Sequence, residues 1–61
     1  MKKYEFYFWF RYGDQKDYDT KNIEAENKEV ARVLFDAWID TVAGRPIRVG
    51  LIKSSIEITE L

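Results

Sequence analysis

Few side chains in this sequence are suited to chemistry. The 61 residues include neither histidine nor cysteine, which excludes Ser/His and Cys/His catalytic pairs and the usual zinc ligands. Ser54 and Ser55 have no base near them in the sequence, so we interpret them as a hydrogen-bonded turn or bulge. Asp14, Asp17 and Asp19 lack the central glycine and terminal glutamate of a calcium loop, and we assign them to a solvated hairpin. We therefore predict no catalytic residue, no metal and no cofactor.

The segment Tyr4–Tyr12 is aromatic at every position except Glu5 and Arg11. A run of rings with high β propensity predicts a strand, which we place at residues 3–12. Successive side chains of a strand point to opposite faces. The face assigned to the core carries Tyr4, Phe6, Phe8, Phe10 and Tyr12, and the other face carries Glu5, Tyr7, Trp9 and Arg11. The second face is aromatic at its centre and charged at its ends, which is typical of a surface that a partner covers.

Length and composition limit the function classes. A chain of 61 residues forms one domain at most and buries only about 60% of its unfolded surface. With no cysteine to form disulfides, we expect thin stability and a homodimer. Ten basic against eleven acidic residues give a net charge of −1, without the basic excess of most nucleic-acid-binding and membrane-binding proteins. We expect a cytoplasmic protein with neither a secretory signal nor a membrane span.

The segment Gly13–Lys16 supplies a residue that tolerates positive φ, followed by polar turn formers. It predicts a hairpin that leads into a second strand at residues 16–26. Ile23 and Ala25 are the apolar pair of this strand, so their side should turn towards the core. The first half of the strand is polar on both faces, which favours an edge position.

A helix is predicted at residues 28–43. Asn27 is a good N-cap, while Gly44 in a left-handed conformation and Pro46 after it should end the helix. The apolar side, at helical spacing, consists of Val30, Ala31, Leu34, Ala37, Trp38, Thr41 and Val42. Phe35 and Ile39 lie at the boundary of this side, where we predict a second contact surface.

The rest of the chain predicts a third strand at residues 47–59, rich in branched apolar residues. Its apolar phase changes, from the odd positions Ile47, Val49 and Leu51 to the even positions Ile52, Ile56 and Ile58. A bulge at residues 53–55 would return both sets to one face. Alternatively, the tail leaves the sheet and pairs with another chain.

The element order predicts an α+β fold: a single ββαβ domain with a three-stranded antiparallel sheet of order 2-1-3 and one helix on one face. This order makes the most apolar strand central and the most polar an edge. The alternative places the third strand parallel to the second and leaves the aromatic strand with an open edge. The predicted core consists of Phe6, Phe8, Phe10, Ile23, Val30, Leu34, Trp38, Val42, Val49 and Leu51.

The segment Ile23–Ala31, in which a strand ends at Ala-x-Asn and a helix opens with Glu-x-Ala, resembles the strand-to-helix joint of many small ββαβ domains. Archaeal ribosomal proteins of the LX type are among them. The resemblance covers this joint alone and implies the fold, with no functional residues. The net charge of −1 departs from the basic surface of a ribosomal protein.

One helix covers only one side of a three-stranded sheet, so we predict an interaction surface on the other side. Its residues are Tyr7, Trp9, Arg11, Tyr18, Arg48 and Ile52. The function predicted from this surface is that of a non-enzymatic protein-interaction domain. It would form a homodimer or bind another protein through this face or through the C-terminal strand. The alternative is a single-stranded nucleic-acid binder in which Tyr7 and Trp9 stack on bases.

Overall fold

The aromatic strand is the centre of the fold in the computed structural model, which describes residues 1–61. The elements are β1 (Lys2–Tyr12), β2 (Gln15–Ala25), α1 (Lys28–Thr41), α2 (Arg45–Gly50), a 3-10 turn (Lys53–Ser55) and β3 (Glu57–Glu60). The strands form one antiparallel sheet of order β2-β1-β3. The predicted α+β class and sheet order are confirmed.

β1 and β2 form a long hairpin that pairs from Lys2 opposite Ala25 to Tyr12 opposite Gln15. Gly13 occupies the first central position of the two-residue turn with a φ of 62°, a conformation that favours glycine. The alternation predicted for β1 is confirmed, since Phe6 and Phe8 are 0% exposed. The rings of Tyr7 and Trp9 therefore point to the opposite face.

The prediction of a single strand at residues 47–59 is wrong. Residues 45–50 form α2, and only Glu57–Glu60 of this region are a strand, paired with β1 from Tyr4 to Tyr7. Pro46 lies in the first turn of α2, where proline's missing N–H removes no hydrogen bond and its fixed φ suits the helix. The change of apolar phase thus comes from a helix and a 3-10 turn, and the C-terminal strand completes the sheet of its own chain.

The lengths of the elements explain why a second helix is present. An 11-residue strand is roughly 36 Å long, whereas a 14-residue helix is roughly 21 Å long. α1 therefore covers only part of the hairpin. α2 packs Ile47 against the core, and Leu51, which follows α2, forms a bridge with Phe10 towards the hairpin turn. Gly50 allows this close approach, because a Cβ there would overlap the carbonyl oxygen of Arg11.

The start of α1 agrees with the prediction and its end does not. The Asn27 side chain accepts a hydrogen bond from the Val30 amide at 2.9 Å, which makes Asn27 the N-cap. The helix ends at Thr41, two residues before the predicted end. Gly44 has a φ of −59° and precedes α2 as its N-cap, so the predicted left-handed conformation is wrong.

α1 is rotated relative to the prediction. Its buried residues are Ala31, Phe35 and Ile39, whereas the predicted core residues Val30, Leu34 and Val42 are exposed, as is Val49 of α2. The Phe35 ring stacks on Phe6 at a centroid distance of 4.4 Å and 7° between planes, and lies 5.4 Å from Phe8. Apolar residues extend over most of the helix circumference, so the contact made by this one large ring decides which side faces the sheet.

The core is small and lies between the sheet and the two helices. It consists of Tyr4, Phe6, Phe8, Ile23, Ala25, Ala31, Phe35, Ile39 and Ala43. The predicted core residues Phe10, Trp38 and Leu51 are half-buried against it. Because the predicted second contact surface, Phe35 and Ile39, belongs to this core, that prediction is also wrong.

Replacement of Phe35 by alanine tests the observed helix face. The ring is 0% exposed, so we expect the free energy of unfolding to fall by about 3–5 kcal/mol. Leu34→Ala is the control, since that side chain is 44% exposed and its truncation should cost about 1 kcal/mol. Urea unfolding monitored by circular dichroism measures both, with Phe35→Leu as a milder variant. A larger loss for Leu34→Ala would support the predicted face instead.

Candidate interaction surface

The face of the sheet opposite the helices is formed by the alternate residues of β1 and their partners. The register places Tyr7 opposite Thr20 and Trp9 opposite Tyr18. On the other side of β1, Glu57 of β3 lies opposite Tyr7. Because paired residues of adjacent strands share a face, these side chains form one surface, which we call the uncovered face.

Three rings at the centre of the uncovered face form a cluster that we call the aromatic triad. Its members are Tyr7, Trp9 and Tyr18. Trp9 and Tyr18 are 5.2 Å apart between ring centroids, Tyr7 and Tyr18 are 5.5 Å apart, and Tyr7 and Trp9 meet edge to face at 6.4 Å. Tyr18 is 55% exposed, while Tyr7 and Trp9 are half-buried. The triad presents a ring surface that no element of the chain covers.

The other three residues predicted for this surface have different positions. Arg11 is exposed and lies opposite Lys16 at the hairpin end of the uncovered face. The Ile52 amide donates to the Trp9 carbonyl oxygen at 3.0 Å, so Ile52 joins the edge of β1 through its backbone. Arg48 is an exposed residue of α2, and its predicted place on the third strand is wrong because residues 45–50 are helical.

Charge is distributed unevenly along the uncovered face. Its hairpin end carries Arg11 and Lys16, which are paired in the register. The register and strand alternation place Lys3, Glu5, Glu24 and Glu57 towards the opposite end. The face is therefore basic at one end and acidic at the other. The sequence alone placed Glu5 and Arg11 at the two ends of this face, whereas the position of Glu57 opposite Tyr7 required the register of β3.

Ser55 closes a gap in the pairing of β1 between β3 and α2. Its hydroxyl oxygen accepts a hydrogen bond from the Trp9 amide at 2.9 Å and donates to the Ile52 carbonyl oxygen at 2.6 Å. This agrees with the predicted hydrogen-bonded turn. Since β2 pairs with the other side of β1, both edges of β1 are occupied next to the triad.

Two aspartates protect the free edge of β2. Trp9 uses its amide and carbonyl towards Ser55 and Ile52, so its partner Tyr18 directs its own backbone groups away from β1. The Tyr18 amide donates to the Asp17 carboxylate at 2.8 Å, and the Thr20 amide donates in the same way to Asp19 at 2.7 Å. These two amides have partners already, which discourages the pairing of a further strand here.

Comparison with protein-family models, with curated protein sequences and with solved structures gave no match to this chain. No group of three or more carboxylates lies close enough together to hold a metal ion. None of the helices has both the length and the apolar character needed to cross a membrane.

Removal of the Ser55 hydroxyl tests its role at the edge of β1. Ser55→Ala leaves the half-buried Trp9 amide without its partner, and we expect a loss of about 1–2 kcal/mol in the free energy of unfolding. Ser54→Ala is the matched control, because Ser54 is exposed and its truncation should change stability by less than about 0.5 kcal/mol. Chemical denaturation measures both variants. Equal effects would contradict the role of Ser55.

Alanine at both Asp17 and Asp19 tests the protection of the β2 edge. The double variant frees the Tyr18 and Thr20 amides, and we expect time-dependent edge-to-edge association, seen as rising light scattering and thioflavin fluorescence. Asp14→Ala/Asp40→Ala removes the same charge elsewhere. If both double variants behave alike, loss of charge and not loss of the amide partners is responsible.

Proposed function

We propose that this chain is a non-enzymatic protein-interaction domain that self-associates through its uncovered face. The aromatic triad is the observation that carries the proposal. Aromatic residues are enriched at the centres of protein interfaces, and large exposed apolar patches on small proteins mark contact sites. The triad residues are Tyr7, Trp9 and Tyr18, in mutual contact on the face of the sheet opposite the helices.

The layer structure also supports this proposal. A sheet is stable when its apolar faces are covered, and most domains achieve this with two or three layers. Here both helices pack on the phenylalanine face. The core contains only nine residues, so burial of the triad against a second copy would add apolar area that one chain cannot provide.

The sheet edges favour contact through the face over contact through the C-terminal strand. β3 already pairs with β1 over Tyr4–Tyr7. The Ser55 hydroxyl and the Asp17 and Asp19 carboxylates occupy strand amides that another chain would need for pairing. We place the domain in the cytoplasm, because its fold uses no disulfide bond.

Size-exclusion chromatography with light scattering tests the proposed function. We expect the unmodified chain to be a dimer and Trp9→Ala to be a monomer with unchanged circular dichroism, because Trp9 is the largest ring of the triad. Val33→Ala, on the exposed side of α1 at 66% exposure, is the control and should remain dimeric. A chain that is monomeric at every concentration would contradict the proposal.

Single-stranded nucleic acid is the alternative ligand, since rings on a sheet surface also stack on bases. Glu5, Glu24 and Glu57 near the triad, together with the net charge of −1, oppose the approach of phosphates. In a Trp38→Phe chain, we expect oligonucleotides at low salt to leave the fluorescence of Trp9 unchanged. Quenching that weakens with added salt would favour the nucleic-acid function.

A further inference from the structure

We infer that two copies pack face to face with their β1 strands antiparallel, related by a two-fold axis that passes between Tyr7 and Trp9. This inference rests on the proposed function and adds the orientation of the partner. In this arrangement the basic end of each uncovered face lies over the acidic end of the other. The same surface then serves both copies, as an isologous interface requires.

The charges of the uncovered face select this orientation. Arg11 and Lys16 are at the hairpin end, and both are exposed. Glu5, Glu24 and Glu57 lie towards the other end with Lys3 as the one basic residue on that part of the face. An antiparallel arrangement brings opposite charges together at both ends, whereas a parallel one places Arg11 over Arg11 and Glu5 over Glu5.

The two charged ends of the face are far enough apart for their charges to select the antiparallel orientation. Glu5 and Arg11 are on the same strand, and six residues of strand span roughly 20 Å. Packed sheets are about 10 Å apart, and the screening length of physiological salt is about 8 Å. Each charged end therefore interacts mainly with the end placed over it and little with the far end of the same face.

The aromatic triad occupies the middle of this arrangement. The point on β1 between Tyr7 and Trp9 is three positions from both Arg11 and Glu5, so a two-fold axis there brings each triad onto its copy and each charged end onto the opposite end. Tyr18, at 55% exposure, is the ring with the most surface to bury. The rings supply the apolar area, and the two charged ends fix the orientation.

Crosslinking tests the orientation directly, because the chain has no cysteine of its own. Arg11→Cys and Glu5→Cys chains are mixed and treated with a bismaleimide whose spacer matches the sheet separation of about 10 Å. We expect covalent dimers in the mixture that contain one chain of each kind, and few covalent dimers from Arg11→Cys alone. Efficient crosslinking of Arg11→Cys to itself, without mixed dimers, would overturn the inference.

Charge reversal provides a second measurement. Arg11→Glu/Lys16→Glu should weaken dimerisation by on the order of tenfold, since each copy then presents two acidic ends. Adding Glu5→Lys and Glu24→Lys to the same chain reverses both ends and should restore the dimer. Added salt should weaken the unmodified dimer, and a dimer strengthened by salt would contradict the antiparallel arrangement.

These results separate the two proposals. A dimer that Trp9→Ala dissociates, but that crosslinks through Arg11→Cys alone, would retain the proposed function and overturn the antiparallel orientation. A chain that is monomeric in light scattering before any crosslinker is added would overturn both.

Discussion

The alternation of β1, with helices on only one side of the sheet, is the constraint on which the structure depends. Because successive strand residues face opposite ways, one aromatic segment supplies both the buried rings of Phe6 and Phe8 and the uncovered rings of Tyr7 and Trp9. The stack of Phe35 on Phe6 at 4.4 Å fixes α1 against the first set. Neither helix packs on Tyr7 and Trp9. The alternation of β1 therefore produces both the core and the candidate interaction surface.

The rest of the fold accommodates an aromatic strand that is longer than its helix. α1 leaves the hairpin end of the sheet bare, and the Gly44–Leu51 segment covers it by means of α2. β3 pairs with β1 only from Tyr4 as far as Tyr7. The Ser55 hydroxyl then takes the place of a strand partner at Trp9. The backbone of β1 thereby has hydrogen-bond partners on both sides, and the rings of the aromatic triad remain available for contact with a partner.

Local alternation predicted which residues of β1 face the core. Turn and capping residues predicted the hairpin and the Asn27 cap, and the sheet order was also predicted. The prediction failed where one sequence pattern fits two kinds of secondary structure. Pro46 fits the segment after a helix as well as the first turn of a new one, and Ile47 with Leu51 fits helical as well as strand spacing, so α2 was missed and Arg48 was misplaced. The rotation of α1 depends on the contact of Phe35 with Phe6, which helical periodicity alone does not determine. The alternation of β1 placed Glu5 and Arg11 at the ends of the uncovered face, but the position of Glu57 required the register of β3.

The environment of Trp9 as a function of protein concentration tests the central claim most directly. Trp38 packs near Phe8 at 6.3 Å between ring centroids, so Trp38→Phe removes its signal and leaves an aromatic ring in its place. We predict that the emission of Trp9 in this chain shifts to shorter wavelength and becomes less accessible to acrylamide as concentration rises from nanomolar to millimolar. Emission and quenching that stay constant over this range would show that no second copy covers the aromatic triad.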